Sequence, residues 1–122
     1  MSLSVSELSS GRVPDVCIIG SGSAGMTLAV ELHRVGKDVL VLEGGGGERT
    51  GESQDIYRGQ TEGNGAEVRA GEGIVNADLR VWGQDNLYVA GSSVFPSGGQ
   101  ATTTFTIVQL SLRLANHLSR RL

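Results

Sequence analysis

Three glycines, Gly20, Gly22 and Gly25, stand in the spacing G-x-G-x-x-G, and Glu43 follows 18 positions beyond the last of them. Residues of these types in this order suit a dinucleotide. Gly20 lets the chain turn tightly out of a strand. Gly22, without a Cβ, lets the backbone approach a pyrophosphate, and Gly25 lets a helix pack close against the strand. Ser21, Ser23 and Ala24 complete the loop, and the free N–H groups and dipole at the helix start face the phosphates. A carboxylate at Glu43, with Gly44 directly after it, accepts hydrogen bonds from a ribose diol. The same charge repels the extra phosphate of NADP.

Such a loop works only between the right elements. Val16–Ile19 is a continuous apolar run, the pattern of a strand buried on both faces, with Cys17 expected as a buried small hydrophobe. From Ala24 the period becomes helical, with Leu28, Ala29, Leu32 and Val35 on one stripe and Gly36 as C-cap. Val39–Leu42 reads as a second buried strand. Strand, helix and strand within about 30 residues make a βαβ unit. A Gly-rich turn in an ordinary α/β protein would carry the glycines without this full context. The fingerprint alone does not separate FAD from NAD, because both place ADP at the same site.

Beyond this unit the pattern loosens. Gly44 to Gly65 reads as loop, with a short helical turn near Ser53–Tyr57. Ala66–Ile74 ("AEVRAGEGI") reads as an extended segment bent at Gly71. "ADLRVWG" suggests a further short strand, and "NLYVAG", Asn86–Gly91, a firmer one. After a loop from Ser92 to Gln100, a final helix begins at Ala101. Thr102, Thr103 and Thr104 offer N-cap hydroxyls, and Phe105, Val108, Leu112, Ala115 and Leu118 form its expected apolar stripe. No internal repeat is apparent.

The composition sets bounds. The chain has 122 residues, net charge −3, one cysteine and 19 glycines. Its length suits one domain. No basic stripe favours nucleic acid, and no apolar stretch reaches the ~20 residues needed to span a bilayer. A disulfide framework and a cysteine metal site are excluded by the single Cys17. Met1–Gly11 is Ser-rich without a basic region before an apolar core, so it reads as a polar arm rather than a secretory signal. The expected localisation is cytoplasmic.

The stretch from Val75 to Leu118, "VNADLRVWGQDNLYVAGSSVFPSGGQATTTFTIVQLSLRLANHL", resembles the C-terminal signature of the glucose–methanol–choline (GMC) oxidoreductases. The N-terminal fingerprint and "ESQDIYRGQ", Glu52–Gln60, are similar to that family too. The resemblance covers nearly all of the chain after Pro14 and is most specific in its C-terminal part. It implies FAD as the cofactor, held non-covalently. It places Gly20, Ser21, Gly22, Ser23, Ala24 and Gly25 in the pyrophosphate loop and Glu43 as the ribose acid. Ile74 matches the adenine-contacting position by its backbone. Gly91 and Ser92 match the strand end beside the pyrophosphate and ribityl chain. Thr102, Thr103 and Thr104 match the helix start under the pyrimidine edge of the flavin. There a helix N-terminus would stabilise negative charge near N1 and O2 of the reduced ring; capping alone would select the same threonines.

The departures from the family are equally specific. The family's catalytic histidine segment is absent where Ile74 runs directly into Val75. The second catalytic position, His or Asn in the family, aligns with Thr102, a poor general base. His33 is expected on the solvent face and His117 in the last turns of the final helix, both structural. No residue is therefore assigned a catalytic role. The expected organisation is a polar arm at 1–13 and one FAD-binding domain at 14–122, built from pieces 14–63, 64–74 and 75–122. The fold expected is α/β, a Rossmann-like FAD/NAD(P)-binding fold with a parallel sheet, a βαβ N-terminus, a short added β segment and a C-terminal helix. The function expected is a minimal, engineered FAD-binding domain without the family's substrate domain. A small flavin-dependent oxidoreductase with an unspecific donor, or an ADP/NAD-binding module, are the alternatives. Loss of the substrate domain would leave a surface suited to homodimer formation.

Overall fold

The computed structural model describes residues 11, 13–45, 51, 73–96 and 102–122. Residues 1–10 and 12 of the N-terminal arm, the turn expected near Ser53–Tyr57 and residues 66–72 lie outside the described residues, as do 97–101.

The βαβ unit forms as its apolar periods dictate. Strand β1 is Val16–Ile19, helix α1 is Ser23–Arg34 and strand β2 is Val39–Leu42. The strands pair in parallel, with Val16 opposite Val39 and Ile19 opposite Leu42. Two backbone bonds extend the ladder beyond its ends, from Val16 N–H to the Asp38 carbonyl (3.2 Å) and from Gly20 N–H to the Leu42 carbonyl (2.8 Å). The second of these ties the start of the phosphate-type loop to the strand that ends at Glu43.

Helix α1 stops at a Schellman motif. Gly36 adopts φ 81°; its N–H donates to the His33 carbonyl at 3.0 Å, and Lys37 N–H donates to the Leu32 carbonyl at 3.1 Å. Both bonds satisfy carbonyls that a helix end otherwise leaves orphaned, and the left-handed turn they require favours glycine.

The region after Ile74 is tighter than the strands expected there. Asn76 and Arg80 close a turn: Asn76 N–H donates to the Arg80 carbonyl (2.9 Å) and Leu79 N–H to the Asn76 carbonyl (3.0 Å). The Asn76 side-chain oxygen accepts from the N–H groups of Asp78 and Arg80. Single antiparallel bridges join Val75 to Val81 and Arg80 to Tyr88. "ADLRVWG" is thus a bridge-forming turn and "NLYVAG" an irregular segment with a single bridge at Tyr88, because Leu79 and Gly83, both at positive φ, bend the chain before a ladder can grow. Ser92–Val94 then forms one turn of 3-10 helix.

Helix α2, Thr104–Arg121, packs along α1. Its buried positions are Ser111, Leu114, Ala115 and Leu118. The expected apolar stripe forms in part: Ala115 and Leu118 are buried and Val108 is half-buried, but Phe105 is 71% exposed and Leu112 is exposed, and Leu110 and Leu114 turn inward beside them. The i, i+3, i+4, i+7 rule holds, but in a helix with two overlapping apolar rows the neighbour selects the row. Ser111 is fully buried, and its hydroxyl donates to the Ile107 carbonyl at 2.8 Å, which removes the cost of burying it.

The core consists of Ile18, Leu28, Leu32, Leu79, Leu114, Ala115 and Leu118, with Val16, Val39, Val41, Tyr88 and Val94 packed against it. Each fully buried leucine contributes about 1.5–3 kcal/mol by leaving water. Three burial expectations change. Cys17 is exposed, Ile19 is 86% exposed, and Val35 is exposed beyond the helix end. The described sheet has two strands, and in β1 Val16 and Ile18 face the helices; Cys17 and Ile19 alternate to the other side, as pleating requires.

Arg113 and His117, one turn apart on α2, meet the 76–80 turn. Arg113 donates to the Ala77 carbonyl at 2.6 Å, and His117 Nδ1 lies 3.7 Å from Asp78 Oδ1. The His117 ring also stands against Tyr88, with centroids 6.0 Å apart. His117 thus serves to seat the turn on the helix, and His33 is exposed, as expected. Among the described residues, no helix is long and apolar enough to cross a membrane.

Candidate dinucleotide-binding site

The site is built where β1 ends, α1 begins and β2 ends. Gly20 leaves β1 at φ 95°, a left-handed conformation in which a side chain is strained. Gly22 is the N-cap of α1, and no side chain caps it. A Cβ built on Gly22 would meet nothing within 4 Å, so the backbone there is open to a ligand. Gly25 is the opposite case. A Cβ on it would collide with the Gly20 carbonyl oxygen and lie 3.1 Å from the Gly20 carbonyl carbon and 3.2 Å from Ile18 Cγ2. The three glycines thus hold the three roles that the spacing assigns: turn, open backbone and close packing.

The first turn of α1 carries no acidic residue. Its N–H groups have no intrahelical partners, as at any helix start, and they face outward with the positive end of the dipole. An anion placed over Gly22 meets donors and no fixed negative charge within the turn.

Glu43 stands beside this loop. Its Oε2 accepts from Ser21 N–H at 2.7 Å and from the Ser21 hydroxyl at 2.5 Å. Its Oε1 accepts from Gly45 N–H at 3.1 Å. The Ser21 hydroxyl, then the Ser21 and Gly45 N–H groups, hold the Glu43 carboxyl down at about 2, well below its ordinary range. The acid is ionised at any physiological pH and is exposed, as an acceptor for a ribose hydroxyl must be. Residue types alone do not reveal the part Ser21 and Gly45 play; the only hint is that donors flank the acid closely in space, which needs the parallel pairing of β1 and β2.

Gly91 has φ 132° and ψ −175°, a region essentially reserved for glycine. It leads into the Ser92–Val94 turn, where Phe95 N–H donates to the Ser92 carbonyl at 3.1 Å. Ile74 is exposed, and its carbonyl accepts from Trp82 N–H at 3.3 Å. Thr102, Thr103 and Thr104 are exposed at the start of α2. Thr103 occupies the N-cap position in a helical conformation and makes no side-chain capping bond, so the hydroxyl capping expected for it does not form. Among the described residues, hydrogen bonds join Ser21, Glu43 and Gly45 into one cluster, and the Gly20 N–H ties the loop to the neighbouring Leu42 carbonyl. None joins Ile74, Gly91, Ser92 or the three threonines to it.

Comparison with known families bears on this geometry. Residues 15–54 match the family model described as FAD binding domain, and residues 65–111 match that described as GMC oxidoreductase. Comparison of the chain with curated proteins and with solved structures gives no significant match. The first match spans the whole Gly20–Glu43 cluster. The second spans Ile74, Gly91, Ser92 and Thr102–Thr104. The parallel βαβ unit and its loop have the geometry of a dinucleotide-binding α/β fold, and the family matches support a FAD-binding, oxidoreductase-like fragment with FAD as the cofactor. Within that class the chain is GMC oxidoreductase-like.

Proposed function

We propose that this chain is an FAD holder. It binds the cofactor non-covalently, with the pyrophosphate over Gly20–Gly25 and the adenosine ribose at Glu43. The observation that carries the reading is the pairing of an open backbone at Gly22 with an ionised, hydrogen-bonded Glu43 beside it. Ser23, Ala24 and Gly25 supply first-turn N–H groups to the phosphates. Gly91, in its glycine-only conformation, lets the chain pass close to the cofactor, with Ser92 next to it. Thr102–Thr104 place the α2 N-terminus toward the flavin's pyrimidine edge, and Ile74 offers backbone to the adenine. Bound FAD supplies a two-electron acceptor. No residue in the sequence is assigned as the base that alcohol oxidation would need, since Thr102 stands at that position.

The three-piece organisation, with joins near Gly63–Gly65 and at Ile74–Val75, belongs to this proposal. So do the absent substrate domain and a homodimer formed through apolar surface. The test is an absorbance spectrum of the purified chain with assay of released cofactor. FAD bands that dialysis or denaturation releases support the reading. A colourless chain that takes up no added FAD, yet binds NAD, overturns it. With FAD bound, dithionite is expected to bleach the flavin band, whereas choline, glucose and simple alcohols are not. Rapid anaerobic bleaching by an alcohol would show an alcohol-oxidising enzyme instead.

A further inference from the structure

We infer that Ser21 is a positioning residue for ribose recognition: its hydroxyl holds the Glu43 carboxylate in place rather than touching phosphate. The inference rests on the FAD-binding reading above and assigns Ser21 a different task within it.

A serine between two loop glycines has two uses for its hydroxyl, a phosphate oxygen or a neighbouring protein group. Here the hydroxyl and the N–H of Ser21 both donate to one oxygen of Glu43, at 2.5 and 2.7 Å. Gly45 N–H donates to the other oxygen at 3.1 Å. Glutamate has three side-chain torsions, and an exposed one ordinarily samples many rotamers. Donors on both oxygens, one pair from the loop after β1 and one from the segment after β2, fix the plane of this carboxylate. A ribose hydroxyl then meets an acceptor already in position, and less entropy is lost on binding.

The donor count also limits what Glu43 can bind. An ionised carboxylate has roughly four acceptor sites, and three are taken by Ser21 and Gly45. The Gly44 N–H also bears on this carboxylate, so at most one site is left for a ribose hydroxyl without displacing Ser21. The phosphates are left to the N–H groups of the first turn of α1, because the Ser21 N–H is already committed.

The experiment compares wild type, Ser21→Ala and Ser21→Thr. In the ligand-free chain, the Glu43 side-chain carboxyl is titrated by carbon-detected NMR. In parallel, calorimetry measures ADP, 2′-deoxy-ADP, 3′-deoxy-ADP and inorganic pyrophosphate. Ser21→Ala is expected to raise the Glu43 midpoint toward the ordinary carboxylate range. It should weaken ADP by about three- to tenfold, the scale of one ordering hydrogen bond, and leave pyrophosphate unchanged. In wild type, one deoxy analogue is expected to bind more weakly than ADP, and Ser21→Ala should narrow that gap. Ser21→Thr, which keeps the hydroxyl, restores both behaviours. An unchanged Glu43 titration in Ser21→Ala overturns the inference. Equal weakening of ADP and pyrophosphate does so too, since it assigns the hydroxyl to phosphate. Failure of wild type to bind ADP overturns the ribose role together with the FAD reading. A shifted titration alongside that failure shows that the Ser21–Glu43 hold itself is real.

Discussion

The carbonyl oxygen of Gly20 occupies the place that a Cβ on Gly25 would need. This contact fixes how closely α1 approaches the end of β1, and so where the α1 N-terminus lies relative to the loop. Gly25→Ala drives a methyl group into backbone, which cannot rotate away. It is expected to destabilise the fold by about 1–3 kcal/mol, the usual cost of overpacking a tight site, and to displace the loop. Gly22→Val tests the other half of the relationship. Gly22 has extended backbone, φ −66° and ψ −176°, and open space around it, so valine is tolerated sterically, at no more than about 1 kcal/mol for a poorer N-cap. Urea denaturation and FAD titration should separate the two: Gly25→Ala loses stability and binding together, Gly22→Val loses binding alone.

Glu43 gives a pH prediction with a definite sign. Its folded carboxyl titrates at about 2, below the ordinary value of roughly 4.3 for glutamate. A depressed carboxylate stabilises the fold above its unfolded value, and that contribution is lost as pH falls through the folded value. The urea midpoint of wild type minus that of Glu43→Gln is therefore expected to stay constant above about pH 5. It should shrink below the ordinary carboxylate range and vanish near pH 2. FAD affinity should show no titration from Glu43 between neutral pH and about pH 4. A Glu43-dependent loss of affinity in that interval would show that Ser21 does not hold the charge.

How much of this was legible in the sequence depends on the range of the interactions. The βαβ unit follows from local periods and from glycine spacing, and Gly36 was readable as a helix stop because the Schellman bonds span only a few residues. In α2 the sequence places Val108, Ala115 and Leu118 on the packed side, but Phe105 and Leu112 are as apolar as Leu110 and Leu114, and only the position of α1 chooses between them. Cys17 and Ile19 looked buried because a parallel strand is ordinarily covered on both faces. The Ser21–Glu43 bonds join residues 22 apart in sequence, and no spacing rule announces them. The strand expected at Asn86–Gly91 yielded to turn chemistry around Asn76 and Gly83, whose bends outweigh the β propensity of Leu87, Tyr88 and Val89.

Leu79 offers a test of that turn chemistry. It is a non-glycine residue at φ 62° and only 4% exposed. Left-handed backbone costs a leucine roughly 1–2 kcal/mol, whereas burying its side chain contributes about 1.5–3 kcal/mol. Burial offsets the strain, and Arg113 and His117 hold the turn from α2. Leu79→Ala keeps the strain and removes the burial, so a loss of about 2–5 kcal/mol is expected. Leu79→Gly removes both, and should destabilise no more than alanine, by up to about 1 kcal/mol less. In a helix interior the order of the two is reversed. Thermal or urea unfolding of the pair decides it, and an alanine variant clearly more stable than the glycine variant would rule out the strained turn.

Gly91 and Gly36 both have positive φ, yet they should respond differently to the same substitution. Gly36, φ 81°, sits at the C′ position of a Schellman motif, where asparagine is the usual second choice. Gly91, at φ 132° and ψ −175°, lies in a region that asparagine does not share. Neither glycine has anything within 4 Å of a built Cβ, so the cost of a side chain at either place is backbone torsion alone. Gly36→Asn should lose under about 1 kcal/mol. Gly91→Asn and Gly91→Ala should each lose about 1–3 kcal/mol, with no advantage to asparagine. The chain on either side of Gly91 is anchored, since Ala90 and Val94 pack against the core. Relief of the torsion would therefore pull one of them out, and amide exchange through the Ser92–Val94 turn should accelerate in both Gly91 variants. A Gly91→Asn variant as stable as Gly36→Asn would mean that residue 91 relaxes freely to an ordinary left-handed turn. Gly91 would then not be the point that lets backbone pass close to the cofactor.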